Sequence, residues 1–253
     1  MASPVAGRPN RSGPPRAPAT EATGGHRLGI VEHPSPNHGP RRGGVRPDMV
    51  VVHYTGMRGR ADALERLCDP QAAVSAHYLI DTDGTVLRLV PEARRAWHAG
   101  AGAWGAVGDV NSHSVGIELV NTGDQPFAAP QMAALEGVLA GVLDRWAIPP
   151  ERVIGHACMA PQRKADPGPR FDWRRLARAG LSVWPEGPAQ AAPDGFRADA
   201  RRFGYPDAPL EAVLAAFRGR FRPGATGPLC ADDAGILAQL ARRWPVDPAP
   251  GAA

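Results

Sequence analysis

VRPDMVVVHYTG, residues 45–56, decides how this chain is read. At its centre Asp48–His53 is a run of apolar and β-branched residues. Pro47 precedes it and a Thr-Gly pair follows. Such a run predicts a buried central strand of a sheet covered by helices. His53 closes the strand and opens a loop. In open α/β sheets, ligand-holding groups gather just beyond strand ends, so His53 is a candidate site residue.

Working outward, Arg60–Cys68 predicts a short helix. Val74–Ile80 and Thr85–Val90 flank the turn signal Asp81-Thr-Asp-Gly84, which predicts a β-hairpin. Val115–Val120, VGIELV, is a further strand. Gln131–Trp146 is the clearest helix: Met132, Leu135, Val138, Leu139, Val142, Leu143 and Trp146 form one stripe, with Pro130 near its start. Arg152–Gly155 predicts a short strand and Asp172–Ala179 a closing helix. The fold class is therefore α/β (α+β), a mixed central sheet flanked by helices over residues 30–184. Residues 185–195 are rich in Pro, Ala and Gly and predict a linker. In 196–246, Leu210, Val213, Leu214, Phe217 and Phe221 share one helical face. Ile236, Leu237, Leu240 and Trp244 share another. That pattern predicts a small three-helix module.

Residues 1–46 hold seven arginines against Glu21 and Glu32, so the net charge of +4 belongs to the N-terminal part. Residues 1–29 predict a disordered basic tail. The tail has no aromatic residue for base stacking, which argues against nucleic acid as partner. No apolar run approaches the roughly 18 residues of a membrane span. Cys68, Cys158 and Cys230 are odd in number and widely spaced, so neither a disulfide framework nor a zinc knuckle is written here.

Of eight histidines, His26, His33 and His38 lie in the N-terminal segment. His77 sits in a hairpin strand and predicts a packed, hydrogen-bonded residue. His113, in the polar run NSHS, predicts a surface residue. His53, His98 and His156 remain. His156 follows a second apolar strand end, VIGH, and Asp166 comes ten residues later beside Pro167-Gly168-Pro169. Two imidazoles and a carboxylate with an open fourth position make a catalytic zinc pattern. By spacing alone, two strand-end histidines fit capping or core roles equally. Alternation in VGIELV sets Glu118 on the face opposite Val115, Ile117 and Leu119. It is either a site carboxylate or an edge glutamate facing water. Lys164 is the only lysine among 29 Lys and Arg. A compact ammonium suits stabilisation of an oxyanion; the alternatives are pairing with Asp166 or a solvent-facing charge.

VVHYTG (51–56), SAHYLI (75–80), AWHAG (96–100), SVGIELVN (114–121) and GHACMAPQRKADPGP (155–169) resemble, in that order, the type 2 N-acetylmuramoyl-L-alanine amidases. These are zinc enzymes whose fold is shared with animal peptidoglycan recognition proteins. The resemblance implies that His53, His156 and Asp166 bind Zn2+ and that Glu118 and Lys164 are catalytic. It further implies that Glu118 moves the proton from water to the leaving amine and that Lys164 steadies the oxyanion. Tyr54, Trp97, His98, Asn121 and Arg163 are assigned to substrate binding, with an acetylated sugar stacking on Trp97. Residues 196–246, with AFRGRFRP at 216–223, are similar to the peptidoglycan-binding module of some members. Cys158 departs from the pattern, which has a polar residue there. The expected partner is peptidoglycan or a muropeptide, and the expected state a monomer. Absence of an apolar signal core argues for cytoplasm; a wall-binding module argues for periplasm or envelope. Two rivals are a binding-only receptor of the same fold, which would lack a zinc ligand, and a cysteine peptidase using Cys158 with His156.

Overall fold

The computed structural model describes residues 29–247. The basic tail expected over 1–29 lies, Gly29 apart, outside them. The chain enters through β1 (Ile30–Glu32) and β2 (His38–Gly39), reaches β3 (Met49–Tyr54), then α1 (Arg60–Cys68). β4 (Tyr78–Ile80) and β5 (Val86–Arg88) form the expected hairpin, followed by β6 (Arg95–Ala96), α2 (Val110–His113) and β7 (Ser114–Leu119). α3 (Ala129–Trp146) leads to β8 (Val153–Gly155), α4 (His156–Met159) and α5 (Trp173–Arg178). α6 (Phe196–Phe203), α7 (Leu210–Phe221) and α8 (Ala231–Arg243) complete the described chain.

The main sheet has the order β1-β5-β4-β7-β3-β8. It is mixed: β4 and β5 pair antiparallel, whereas β4–β7, β7–β3 and β3–β8 are parallel. The Asp48–His53 run is therefore central, with partners on both sides. The hairpin is shorter than its sequence pattern. Ser75 and His77 spend their N–H groups on Trp97 O and Gly116 O, outside the β4–β5 ladder. The segment between β1 and β3 is laid along the body, as its prolines suggest. Asn37 Nδ2 donates to Asp69 O and Val74 O, and Arg41 is buried with its guanidinium on Ser112 O, Ser114 O and Glu92 O.

Alternation along the central strands divides two cores. Val50, Val52, Val115, Ile117 and Leu119 pack against α3 through Leu135, Leu139 and Val142. Burial of each such side chain stabilises by about 1.5–3 kcal/mol. Met49, Val51 and Ile154 face the other way, where Phe196, Phe203, Phe217 and Phe221 join them in one apolar cluster. The three C-terminal helices thus form as the sequence predicts, but their core is continuous with that of the sheet. Arg220 on α7 is buried; it donates to Val153 O of β8 (3.0 Å) and Ser182 Oγ (3.2 Å), and its guanidinium lies over Trp173. A sequence pattern shows which face of a helix is apolar and leaves open which partner covers it.

Candidate active site

Three chain segments deliver the site. β3 and β7 run parallel with His53 opposite Glu118, and β8 lies on the other side of β3 with Gly155 opposite Val52. His53 and Glu118 share the face away from α3, because their neighbours Val52, Ile117 and Leu119 occupy the α3 face. His156 is the first residue of α4, directly after β8. The following loop folds back so that Asp166 returns beside it. Ala157 N donates to Asp166 O (2.9 Å), and Lys164 N donates to Ala160 O (3.0 Å). Gly155 permits this return: a Cβ there would stand 2.7 Å from Pro167 Cδ.

His53 Nδ1, His156 Nδ1 and Asp166 Oδ2 converge. Their separations are 2.9 Å between the nitrogens, and 3.0 and 3.1 Å from each nitrogen to the carboxylate oxygen. All three residues are buried. Two imidazole nitrogens and a carboxylate oxygen on a tetrahedral divalent ion would lie about 3.3 Å apart, given bonds of about 2.0 Å. The donors are a few tenths closer than that, and they leave a fourth direction free. Beside them Glu118 Oε2 is buried and has no hydrogen-bond partner among the described residues. The donor set and this unpartnered oxygen fit a hydrolytic metal site.

The local electrostatics follow from burial. Burial, and then the neighbouring His156, lower His53 to about 4. Burial alone would raise Asp166, but the contacts of its carboxylate with the His156 and His53 rings outweigh it and hold the carboxyl below its usual range. Glu118 is pushed up to about 8 by burial and then by the charge of Asp166, with Lys164 opposing. A carboxyl poised near neutrality can take and return a proton.

The residues assigned to substrate fall into different places. Lys164 is exposed on the returning loop. Asp166 Oδ2 meets the two histidines and not Lys164, and the ammonium has no ion pair among the described residues. Tyr54 is half-buried at the end of β3, its ring against Gly123 and Gly168, and burial followed by Asp166 raises its hydroxyl. Trp97 is half-buried. Asn121 is buried and bonded within its own loop: Oδ1 accepts from Gly123 N (2.7 Å), and Nδ2 faces Gln125 O and Pro126 O. Arg163 is also committed, with Nε donating to Ala101 O (3.1 Å) and Nη2 to Ala99 O (3.0 Å), so it ties two loops together. His98 lies behind His53, with Nδ1 3.0 Å from His53 Nε2.

His77 is fully buried and hydrogen-bonded, as expected. His113 is half-buried in α2 and lies 3.5 Å from Asp48, where a surface position was expected. Cys158 is buried, with Sγ 3.9 Å from Tyr205 OH and from Arg220 Nη1; it has no contact with the three donors. The cysteine-nucleophile alternative therefore has no histidine or carboxylate beside its sulfur among the described residues. A cleft of about 790 Å³ separates the outer side of the 155–169 segment from α7 and the loop after it. Asn111 and Ser114, which build the shell behind the histidines, went unread inside NSHS. Gly116 did carry a signal, since a glycine inside a strand marks close approach by another group.

The comparisons with known proteins agree with this geometry. The family described as N-acetylmuramoyl-L-alanine amidase matches residues 43–169. The N-acetylmuramoyl-L-alanine amidase AmiD of Escherichia coli (strain K12) is 40% identical over an alignment of 157 residues, with 56% of this chain and 56% of AmiD covered. The chain thus spans a little over half the length of that relative. The 1,6-anhydro-N-acetylmuramyl-L-alanine amidase AmpD of Enterobacter cloacae is 36% identical over 160 residues, 56% of this chain and 86% of AmpD. The solved structure of E. coli AmiD, in complex with the substrate anhydro-N-acetylmuramic acid-L-Ala-D-gamma-Glu-L-Lys, is similar with a TM-score of 0.73 at 32% identity. It covers 80% of this chain and 92% of that one.

Proposed function

The chain belongs to the N-acetylmuramoyl-L-alanine amidase family, and from that premise we propose that it hydrolyses the amide between N-acetylmuramic acid and L-alanine in peptidoglycan fragments, using zinc. The observation that carries this reading is the convergence of His53 Nδ1, His156 Nδ1 and Asp166 Oδ2 beside the unpartnered Glu118. Zinc bound to these residues supplies a Lewis acid that acidifies water and polarises the amide carbonyl.

The protein's own residues do the rest. Glu118 takes the proton of the attacking water and gives it to the departing L-alanine amine. Its position opposite His53, with an oxygen unpartnered among the described residues, suits both halves of that transfer. Lys164, free of any pair with Asp166, brings its ammonium to the oxygen on which charge develops. Tyr54 and Trp97 line the approach, and the committed side chains of Asn121 and Arg163 shape its walls. The second part of the reading gives residues 196–246 a hold on polymeric peptidoglycan. Its support is the sequence resemblance of that module together with the reach of the AmiD likeness well beyond the family-matched segment. We take the enzyme to act as a monomer.

The test is product analysis by mass spectrometry, on purified sacculi and on a soluble anhydro-muropeptide, with and without a zinc chelator. Release of free peptides beginning at L-alanine, abolished by chelator and restored by zinc, is the expected result. Cleavage at another bond, or release indifferent to chelator, would defeat the reading. The ratio of the two substrates identifies the physiological form.

A further inference from the structure

The reaction outlined above makes no use of His98, Ser114, Asn111 or Gly116, yet these residues are built tightly around the two histidine donors. His53 Nε2 lies 3.0 Å from His98 Nδ1, His98 Nε2 lies 3.1 Å from Ser114 Oγ, and Ser114 Oγ lies 2.5 Å from Val110 O. Proton positions along this chain follow from its far end. A carbonyl oxygen only accepts, so the Ser114 hydroxyl donates to Val110 O. Its oxygen is then left to accept from His98 Nε2–H. A neutral imidazole carries one N–H, so His98 Nδ1 is an acceptor and takes the Nε2–H of His53. His53 is thereby left with a bare lone pair on Nδ1, the atom that meets Asp166 and His156.

His156 is set in the same way from the adjacent residue. Its Nε2 lies 2.8 Å from Ala99 O, so Nε2 carries the proton and Nδ1 the lone pair. Residues 98 and 99 thus serve one donor histidine each. Asn111 Oδ1 accepts from both their N–H groups, at 3.0 and 2.9 Å, and clamps the dipeptide. Gly116 makes the room. A Cβ at 116 would stand 2.3 Å from His98 Cγ, so the ring occupies space that any other residue would fill.

We propose that His98 is a positioning residue for the metal: anchored by Ser114 and admitted by Gly116, it holds His53 in the orientation and tautomer that present Nδ1. This rests on the metal reading of His53, His156 and Asp166, and it replaces the substrate-binding role that the sequence suggested for His98. Outer partners of a metal-bound imidazole are worth about 10–100-fold in metal affinity.

The experiment measures zinc dissociation constants on the full chain by competition with a chromophoric chelator. KM and kcat on one soluble muropeptide are measured at saturating zinc. His98→Ala should weaken zinc binding by about 10–100-fold and leave KM unchanged. His98→Asn, whose Oδ1 can accept at the place of Nδ1, should recover most of the affinity. Gly116→Ala should reproduce the loss while removing no polar group. Should its melting curve show it unfolded, Ser114→Ala carries the same test, with a smaller loss in the same direction. A His98→Ala protein with wild-type zinc affinity and a raised KM would overturn the proposal and return His98 to the substrate. A wild-type protein that binds no zinc would overturn the metal reading and this proposal with it.

Discussion

Replacing Glu118 by glutamine removes a charge that the fold holds at a measurable cost. Burial, and then the charge of Asp166, push this carboxyl from its usual 4.5 up to about 8. Between those two values the folded chain keeps a proton that the unfolded chain has released. Stability therefore falls as pH rises across the window, by about 1.4 kcal/mol per unit for one group. The contribution is fully present below the unfolded value and is lost as pH passes the folded one. The whole interval sets a ceiling of about 5 kcal/mol. Glu118 is half-buried by area, and water on its open side lowers the working figure to about 2–4 kcal/mol.

Glutamine has no proton to lose. Glu118→Gln should therefore match wild type near the unfolded value and exceed its stability by about 2–4 kcal/mol once the pH passes the folded one. Hydrolysis should be lost throughout. The assay is urea denaturation of both proteins across the weakly acidic to weakly alkaline range, in a chelator. Metal is removed because a bound cation would offset the charge of Asp166 and compress the window. A stability difference that stays flat with pH would refute burial beside Asp166 as the origin of the shift. A difference of the opposite sign would place Glu118 in a favourable ion pair that the geometry does not contain.

Lys164→Ala should lower kcat by about a hundred-fold or more with little change in KM or zinc content, and Lys164→Arg should recover only part of the rate. Full activity in the arginine variant would remove the point-charge role. One zinc per chain should be found by metal analysis and be lost in the double variant His156→Ala, Asp166→Ala; stoichiometric zinc persisting there would place the ion elsewhere. Deleting residues 190–253 should leave a chain of lowered stability, because the apolar cluster that contains Met49, Val51 and Ile154 loses Phe196, Phe203 and Phe217. A truncation product that melts with the full chain would show that the C-terminal helices add nothing to that cluster.

The central strand and α3 were legible because each carries a periodicity that states its own surroundings. Val50, Val52 and the Leu135–Leu139 stripe announce apolar partners, and they find one another. Glu118 was legible for the converse reason: a carboxylate amid aliphatics contradicts its pattern, and such contradictions mark sites. The contacts of Asn121 and Arg163 were not legible. A motif shows that such a residue is near the site, but its partners are backbone atoms, at Gly123 and Gln125 for Asn121 and at Ala99 and Ala101 for Arg163. Those atoms have no residue type, so no pattern can point to them. The C-terminal helices illustrate the same limit on a larger scale, since an apolar face states a need for cover and not the identity of what covers it. Gly116 stands between the two cases. The missing Cβ said that another group comes within contact of β7; only the folded chain supplies the imidazole of His98 as that group, and with it the reason that the strand facing His53 carries a glycine one pleat before Glu118.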